Sequence, residues 1–377
     1  MTDSAHLMIA ASEHDADMLY ASGMFVPDPF VAIGIRGVWH GLLSPLEIDR
    51  ARKQSKLAHV HLDTHWREKA VERGWEPTLA GAAAAFLAEQ GIRHLQVPGS
   101  FPLEYADRLR SWGFELTPAT GSLFPERIVK AENEIRHLAR AEHLTRQSMR
   151  EAERFLADCA VDAKGYLTHP EAGPRIKSAH VRQAIETWLV AHGAMPAHTI
   201  VACGREGSDP HNVGHGHIRA GRPIIIDIFP RVTASGYWGD MTRTYVKGKA
   251  PAEVRRLYDT VKNGQRLGLD MVMAGANGAD IHGRITSFFA QQGYVTGLRR
   301  GRQVGFFHGT GHGVGLEIHE PPRISTRGET LVAGQVVTVE PGLYYPALGG
   351  VRLEDMVVVR DGGCQNLTRH PCRLEID

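Results

Sequence analysis

Residues 306–322 read FFHGTGHGVGLEIHEPP. His308, His312 and His319 fall within twelve residues, and Gly309, Gly311, Gly313 and Gly315 stand between them. Glycine at every second position disfavours a helix and strips side chains from one line of an extended segment. Backbone can then approach a crowded site closely, with imidazoles projecting into it. The stretch predicts an extended, glycine-lined wall of a polar site, and the question becomes what else in the chain faces it.

Four carboxylates answer. Asp227 ends the run Ile224–Ile226, in a strand that reads as buried on both faces, where a carboxylate is costly unless paired or metal-bound. Asp240 precedes the strand-like MTRTYV, Glu340 closes VVTV ahead of a Pro-Gly turn, and Glu354 lies in VRLEDMVVV. Each alone has an ordinary explanation as a strand-end hydrogen-bonding group. Four together repel unless a multivalent cation gathers them. Four carboxylates and one imidazole suffice for two divalent ions. The oxygen-rich set suits Mn²⁺, Co²⁺ or Zn²⁺ without distinguishing them. Such a site lowers the pKa of bound water and clamps a reacting oxygen, which is hydrolase chemistry.

The 377 residues suit two domains. With 43 basic against 42 acidic residues, charge gives no case for nucleic acid or an anionic membrane. No apolar run reaches the ~18–20 residues that span a bilayer, and MTDSAHLMIAASEHDADMLY lacks the pattern of a secretory leader. Cys159, Cys203, Cys364 and Cys372 show no C-x-x-C spacing, so a reduced cytoplasm is the expected location. His40, His61 and His65 show no partner pattern.

Residues 1–122 alternate strand-like stretches (LMIAA, FVAIGI, HVHLD, HLQVP) with helix-like ones (PLEIDRARKQ, LAGAAAAFLAEQ, LEYADRLRSW), which predicts a smaller α/β domain. Gly91 and Gly113 fall where helix C-caps are expected. Pro125 is expected to start a helix carrying Ile128, Ile135 and Leu138 at helical spacing. A second helical stripe holds Val181, Ile185, Trp188, Leu189 and His192, with His192 read as a packed side chain. A third begins at Pro251 with Val254, Leu257, Tyr258 and Val261. Residues 123–377 therefore read as an α+β domain. Asp227/Asp240 and Glu340/Glu354, two pairs about a hundred residues apart, suggest a duplicated half.

The ordered blocks DPHNVGHG, IIIDIF…GYWGDMTRTY, FFHGTGHGVGLEIHEPP, VVTVEPGLYY and GGVRLEDMVVV resemble the pita-bread metallopeptidases: methionine aminopeptidase, aminopeptidase P and prolidase. The first domain resembles the creatinase/prolidase-type N-terminal domain. The resemblance implies five metal ligands: Asp227, Asp240, His312, Glu340 and Glu354. Asp240 and Glu354 would bridge two ions. Asp227 would complete one shell, and His312 with Glu340 the other. It implies that His211 and His319 bind substrate and stabilise the tetrahedral intermediate, and that Arg352, on the face of Glu354, orients substrate or its carboxylate. His308, four residues before His312, is shared with the proline-specific branch.

The resemblance thus implies an Xaa-Pro dipeptidase in which a metal-bridging hydroxide attacks and Glu340 shuttles the proton. The substrate would be a small peptide with proline second, and the assembly a homodimer. An aminopeptidase P acting on longer peptides is the alternative. A creatinase-like amidinohydrolase and a non-catalytic pseudo-peptidase are expected to lose the ligands, and this chain keeps all five. One departure stands: Asp227 and Asp240 are thirteen residues apart, wider than the family's usual spacing by an even number. An even insertion in a hairpin preserves the face each side chain uses.

Overall fold

The computed structural model describes residues 4–377, so the first three residues of the stretch read for a leader lie outside it. The chain divides into two compact units, Met1–Pro125 and Glu126–Asp377.

The first unit follows the α/β alternation. Strands β1 (Ser4–Ala10), β2 (Phe30–Ile35), β3 (Val38–Leu43), β4 (His59–Leu62), β5 (His94–Val97) and β6 (Glu115–Pro118) form one sheet in the order β4-β3-β2-β1-β5-β6. Helices α1 (Ala16–Ser22), α2 (Ile48–Gln54), α3 (Asp63–Glu72), α4 (Leu79–Glu89) and α5 (Leu103–Ser111) complete it. Helix α4 is the most buried of these, with Ala80–Leu87 inside, because its run of alanines lets it lie close on the sheet.

The second unit is built of two similar halves. Helix α6 (Glu132–Ala157) and α7 (Ser178–Ala191) pack on a sheet of β7 (Ile200–Cys203), β8 (Ile224–Ile228), β9 (Met241–Lys247) and a short C-terminal strand, Glu375–Ile376. Helices α8 (Ala252–Met271) and α9 (Gly278–Gln291) pack on a second sheet. That sheet runs β11-β10-β12-β15-β16, with β10 at Gly311–Gly313, β11 at Glu320–Ile324, β12 at Val336–Val339, β15 at Asp355–Arg360 and β16 at Gly363–Asn366. The hairpin β13 (Gly342–Tyr345) and β14 (Gly349–Arg352) lies between β12 and β15 in sequence. Two helix pairs on two sheets are what the carboxylate echo suggested.

Two helix expectations need correction. Pro125 opens only a short 3₁₀ turn, Pro125–Ile128, and the long helix starts at Glu132. There the Glu134 carboxylate accepts the Ala131 N–H at 2.9 Å, which supplies the N-terminal cap that Pro125 cannot. His192 is not packed in the core. It is exposed just beyond α7 and stacks on Trp188 with ring centroids 3.8 Å apart, while Val181, Ile185 and Leu189 fill the interior.

Candidate active site

The carboxylates are placed by strand register. In the β8–β9 pair Asp227 faces Thr242, so Asp240, two residues before Thr242, shares its face of the sheet. The thirteen-residue span is absorbed in the turn, where Gly239 N–H donates to the Pro230 carbonyl and closes the hairpin. In the β12–β15 pair Val339 faces Asp355, which puts Glu340 and Glu354 opposite each other one step beyond the ladder. Thr242 joins the two sheets: its hydroxyl donates to Glu354 Oε2 at 2.7 Å.

The glycines behave as the alternation predicts at two positions. A Cβ on Gly311 would lie 1.9 Å from the Thr338 carbonyl oxygen, and one on Gly313 would lie 2.2 Å from that of Pro321. Only glycine lets β10 sit this close to its neighbours. Between them His312 is held by its N–H to Thr338 Oγ1 at 3.2 Å and by Nδ1–H donating to the Gly313 carbonyl at 3.1 Å. That bond fixes the tautomer and leaves the Nε2 lone pair facing the carboxylates.

His312 Nε2 is 3.6 Å from Asp240 Oδ2 and 3.5 Å from Glu340 Oε1. Asp240, His312 and Glu354 each present a donor atom within 4.8 Å of the others. These spacings fit donors about 2.0–2.2 Å from a shared ion. A lone pair and carboxylate oxygens facing one another in a buried pocket repel without a cation. Asp227 accepts Arg352 Nη2–H on Oδ2 at 2.7 Å, yet its Oδ1 is buried with no hydrogen-bond partner. That orphaned oxygen is free to act as a ligand, and the residues fit a divalent metal.

Protonation follows from crowding. Burial, then Glu354, Asp227 and Glu340, hold the Asp240 carboxyl well above its usual range. Burial, then Glu340 and Asp227, do the same to Glu354. Glu340 is pushed up to about 7, by burial first and then by Asp227, although Arg352 opposes the shift. Burial, then the His319 ring, lowers His312 to about 3, so it is neutral and able to ligate.

The other expected residues line the same cavity of about 600 Å³, among them His211, His308, His319 and Arg352. His308 is committed at both nitrogens: Nδ1–H donates to the Gly309 carbonyl at 2.7 Å and Nε2 accepts from Tyr344 Oη at 2.9 Å. Arg352 is buried and engages four of its five N–H donors, on Asp227, Tyr344, Thr242 and the Pro210 carbonyl. A larger hollow of about 740 Å³, along Trp188 and His169, contains none of the five candidate ligands.

Sequence reasoning missed Tyr344, Thr242 and Arg323. Tyr344 and Thr242 are fully buried and connect Arg352 to His308 and to Glu354. Arg323 lines the cavity, is exposed, and makes no side-chain hydrogen bond or ion pair among the described residues. Its position four residues after His319, one residue beyond the segment singled out, was the available signal. Glu320, beside His319, is anchored by Lys130 and Arg127.

Fold and site together define a metal-dependent peptidase. Residues 137–361 match metallopeptidase family M24, and the chain belongs to that family. It is 31% identical to an uncharacterized peptidase, YqhT, of Bacillus subtilis over 70% of this chain and 68% of that one. It is 29% identical to an Xaa-Pro dipeptidase of Pyrococcus horikoshii over 75% of each chain. An X-Pro aminopeptidase structure from Thermotoga maritima has the same fold, with TM-score 0.82 and 22% identity over 100% of this chain and 98% of that one. The pita-bread architecture expected from the sequence is thereby established. Among the described residues, no helix is long and apolar enough to cross a membrane.

Proposed function

We propose that the protein is an Xaa-Pro dipeptidase with two divalent ions, Mn²⁺, Co²⁺ or Zn²⁺, held by Asp227, Asp240, His312, Glu340 and Glu354. The observation that carries this reading is His312 Nε2 facing Asp240 and Glu340 at 3.6 and 3.5 Å, beside the unpartnered Asp227 Oδ1. Asp240 and Glu354 would be the carboxylates shared between the ions, a reading supported by their donor atoms lying within 4.8 Å of each other and of His312. When bound, such ions supply Lewis acidity and make a water acidic enough to lose its proton near neutral pH. The second unit is the catalytic domain, and the first is of the creatinase/prolidase N-terminal type.

The chain's own side chains do the rest. Glu340 takes up a proton on its carboxylate and returns it to the leaving proline nitrogen. His211 and His319 supply N–H donors to the developing oxyanion. Phe229, Phe307 and Ile318 give the cavity apolar wall suited to a proline ring. A dipeptide also brings an α-carboxylate close to the scissile bond. Arg323, exposed and uncommitted, can offer two parallel N–H donors to it, whereas Arg352 has all but one of its donors engaged. His308 and the buried Arg352 then brace Tyr344 between them, and Arg352 also holds Asp227.

The dipeptidase name of the Pyrococcus horikoshii relative supports the substrate class. Four free cysteines support a reducing cytoplasm, and the homodimer is carried over from the family resemblance. The test is hydrolysis of an Xaa-Pro dipeptide panel by chelated and then Mn²⁺-, Co²⁺- or Zn²⁺-restored protein, beside matched Xaa-Pro-Yaa tripeptides. Metal-restored dipeptide cleavage is expected, with KM raised at least tenfold in Arg323→Gln. Faster tripeptide turnover would replace this reading with that of an Xaa-Pro aminopeptidase.

A further inference from the structure

The first unit contains a cluster of three imidazoles that the peptidase chemistry does not use. His40 lies on β3, and His59 and His61 lie on β4, the edge strand of the six-stranded sheet. The parallel register pairs His40 with His59 and Leu42 with His61, so the three imidazoles share one face. The His40 and His59 rings stack at 4.8 Å and 25°, and those of His40 and His61 lie 5.6 Å and 18° apart. His40 Nδ1 is 3.3 Å from His61 Nε2. Phe86 stands against both rings at 5.2 and 5.5 Å, with Trp66 packed behind it at 4.9 Å.

We propose that His40, His59 and His61 form a binding site for one borderline transition-metal ion, of the Zn²⁺, Ni²⁺ or Cu²⁺ class. Two imidazole nitrogens, each about 2.0–2.1 Å from a tetrahedral ion, stand roughly 3.3 Å apart, the spacing His40 and His61 already hold. A hydrogen bond between those two rings also fits that distance, but it gives no part to His59 stacked beside them. As placed, the three rings do not bring one nitrogen each within 4.8 Å of one another, so the site requires the exposed His59 side chain to turn toward the pair, and the His-x-His spacing on β4 keeps it on the same face as His61. An all-imidazole set with no carboxylate favours borderline ions over Mn²⁺, Mg²⁺ or Ca²⁺. Phe86 and Trp66 give it a dry floor, while the exposed edge gives a path of entry. Burial first, and then the neighbouring imidazoles, hold His40 and His61 below the ordinary histidine value, so both offer lone pairs at neutral pH. None of the carboxylate ligands lies in this unit, and the inference does not depend on the peptidase reading.

The test uses the full chain, stripped with chelator and titrated with Zn²⁺ by equilibrium dialysis, beside His59→Gln and His61→Gln. The wild type is expected to bind one Zn²⁺ more than His61→Gln, and His59→Gln to bind that ion at least tenfold more weakly. Metal-restored peptidase activity should be unchanged in both variants. Cu²⁺ electron paramagnetic resonance should show three imidazole nitrogens in the wild type and two in His59→Gln. Equal Zn²⁺ stoichiometry and affinity in all three proteins would reduce the cluster to a His40–His61 hydrogen bond and overturn the proposal. Should His61→Gln fail to fold, His59→Gln, altered only at an exposed ring, decides alone. Because zinc is counted without substrate, failure here and failure of the dipeptidase assay are read separately.

Discussion

Thr242 holds Glu354 at both ends: its hydroxyl donates to Glu354 Oε2 at 2.7 Å, and its carbonyl accepts the Glu354 N–H at 3.0 Å. The same hydroxyl accepts Arg352 Nε–H at 3.2 Å. One side chain of the first half thus aims a carboxylate and braces an arginine of the second. Thr242→Val keeps the shape and the backbone bond but leaves Glu354 and Arg352 each short of a partner. Removing a partner that orients a ligand typically weakens metal binding about 10–100-fold. The buried groups left unpaired cost about 1–3 kcal/mol of stability. Metal dialysis and urea unfolding of the variant measure the two effects. Unchanged metal affinity would remove Thr242 from the site.

Metal uptake should release protons. His312 is neutral above about pH 3 and contributes none near neutrality. Glu340, held up to about 7, and Asp240 and Glu354, held well above their usual range, retain protons that a cation must displace. Apparent affinity should therefore rise steadily from pH 5 through pH 7. Calorimetry in buffers of different ionisation enthalpy counts the protons. A flat affinity across that range would show that the carboxylates are already ionised.

The same groups set the stability of the metal-free protein. Glu142, beneath Asp240, is pushed up to about 8 by burial. Above about pH 6.5 the unfolded chain has lost its carboxyl protons, while the folded carboxyls lose theirs only as pH passes their raised values, about 7 for Glu340 and about 8 for Glu142. The folded state then binds more protons, so stability falls as pH rises, by roughly 1.4 kcal/mol per pH unit for each extra proton. His308 and His312, kept neutral in the fold, oppose this slope while the unfolded histidines, which titrate near 6.5, still hold protons; above about pH 7.5 they are neutral in both states and no longer do so. Thermal melts of chelated protein at about pH 7.5 and 8.5, where the histidines are neutral in both states, should show lower stability at the higher pH as Glu142 titrates, and saturating metal should flatten the difference. A chelated protein more stable at about pH 8.5 than at 7.5 contradicts the assignment.

The strands carrying the site were legible because their apolar runs are long and their acids conspicuous. IIIDI, VVTV and DMVVVR are strands in the structure, each with an acid in it or beside it. The helix expected at Pro125 was displaced because its start is set by a side-chain cap at Glu134, three residues beyond Ala131, and not by the proline. Tyr344, Thr242 and Arg243 were illegible for another reason. Their roles exist only through particular partners: Tyr344 through His308 and through Arg352 across a hairpin, and Arg243 by donating to the Glu354 carbonyl and to Asp355 over more than a hundred residues. Local pattern contains no trace of such pairings. The histidines of β3 and β4 were invisible for the same reason: parallel strands bring them together across a helix.

Gly311 and Gly309 separate backbone crowding from simple flexibility. Both lie in the glycine-rich stretch, and neither has a left-handed φ, so an added methyl group tests space alone. At Gly311 that methyl meets the Thr338 carbonyl at 1.9 Å, and the carbonyl belongs to a buried strand that cannot yield cheaply. At Gly309 the nearest atoms are 3.3 and 3.4 Å away, a contact a small shift relieves. Gly311→Ala should cost about 3 kcal/mol or more, at or beyond the usual range for overpacking. It should also displace His312 and abolish metal-dependent cleavage. Gly309→Ala should stay within about 1 kcal/mol of the wild type and keep most activity. Chemical unfolding and the metal-restored assay on the pair measure both. Equal tolerance would mean that the glycines serve mobility, not the close approach of β10 to β12; equal loss would mean that the whole stretch is constrained by something other than these two carbonyl contacts.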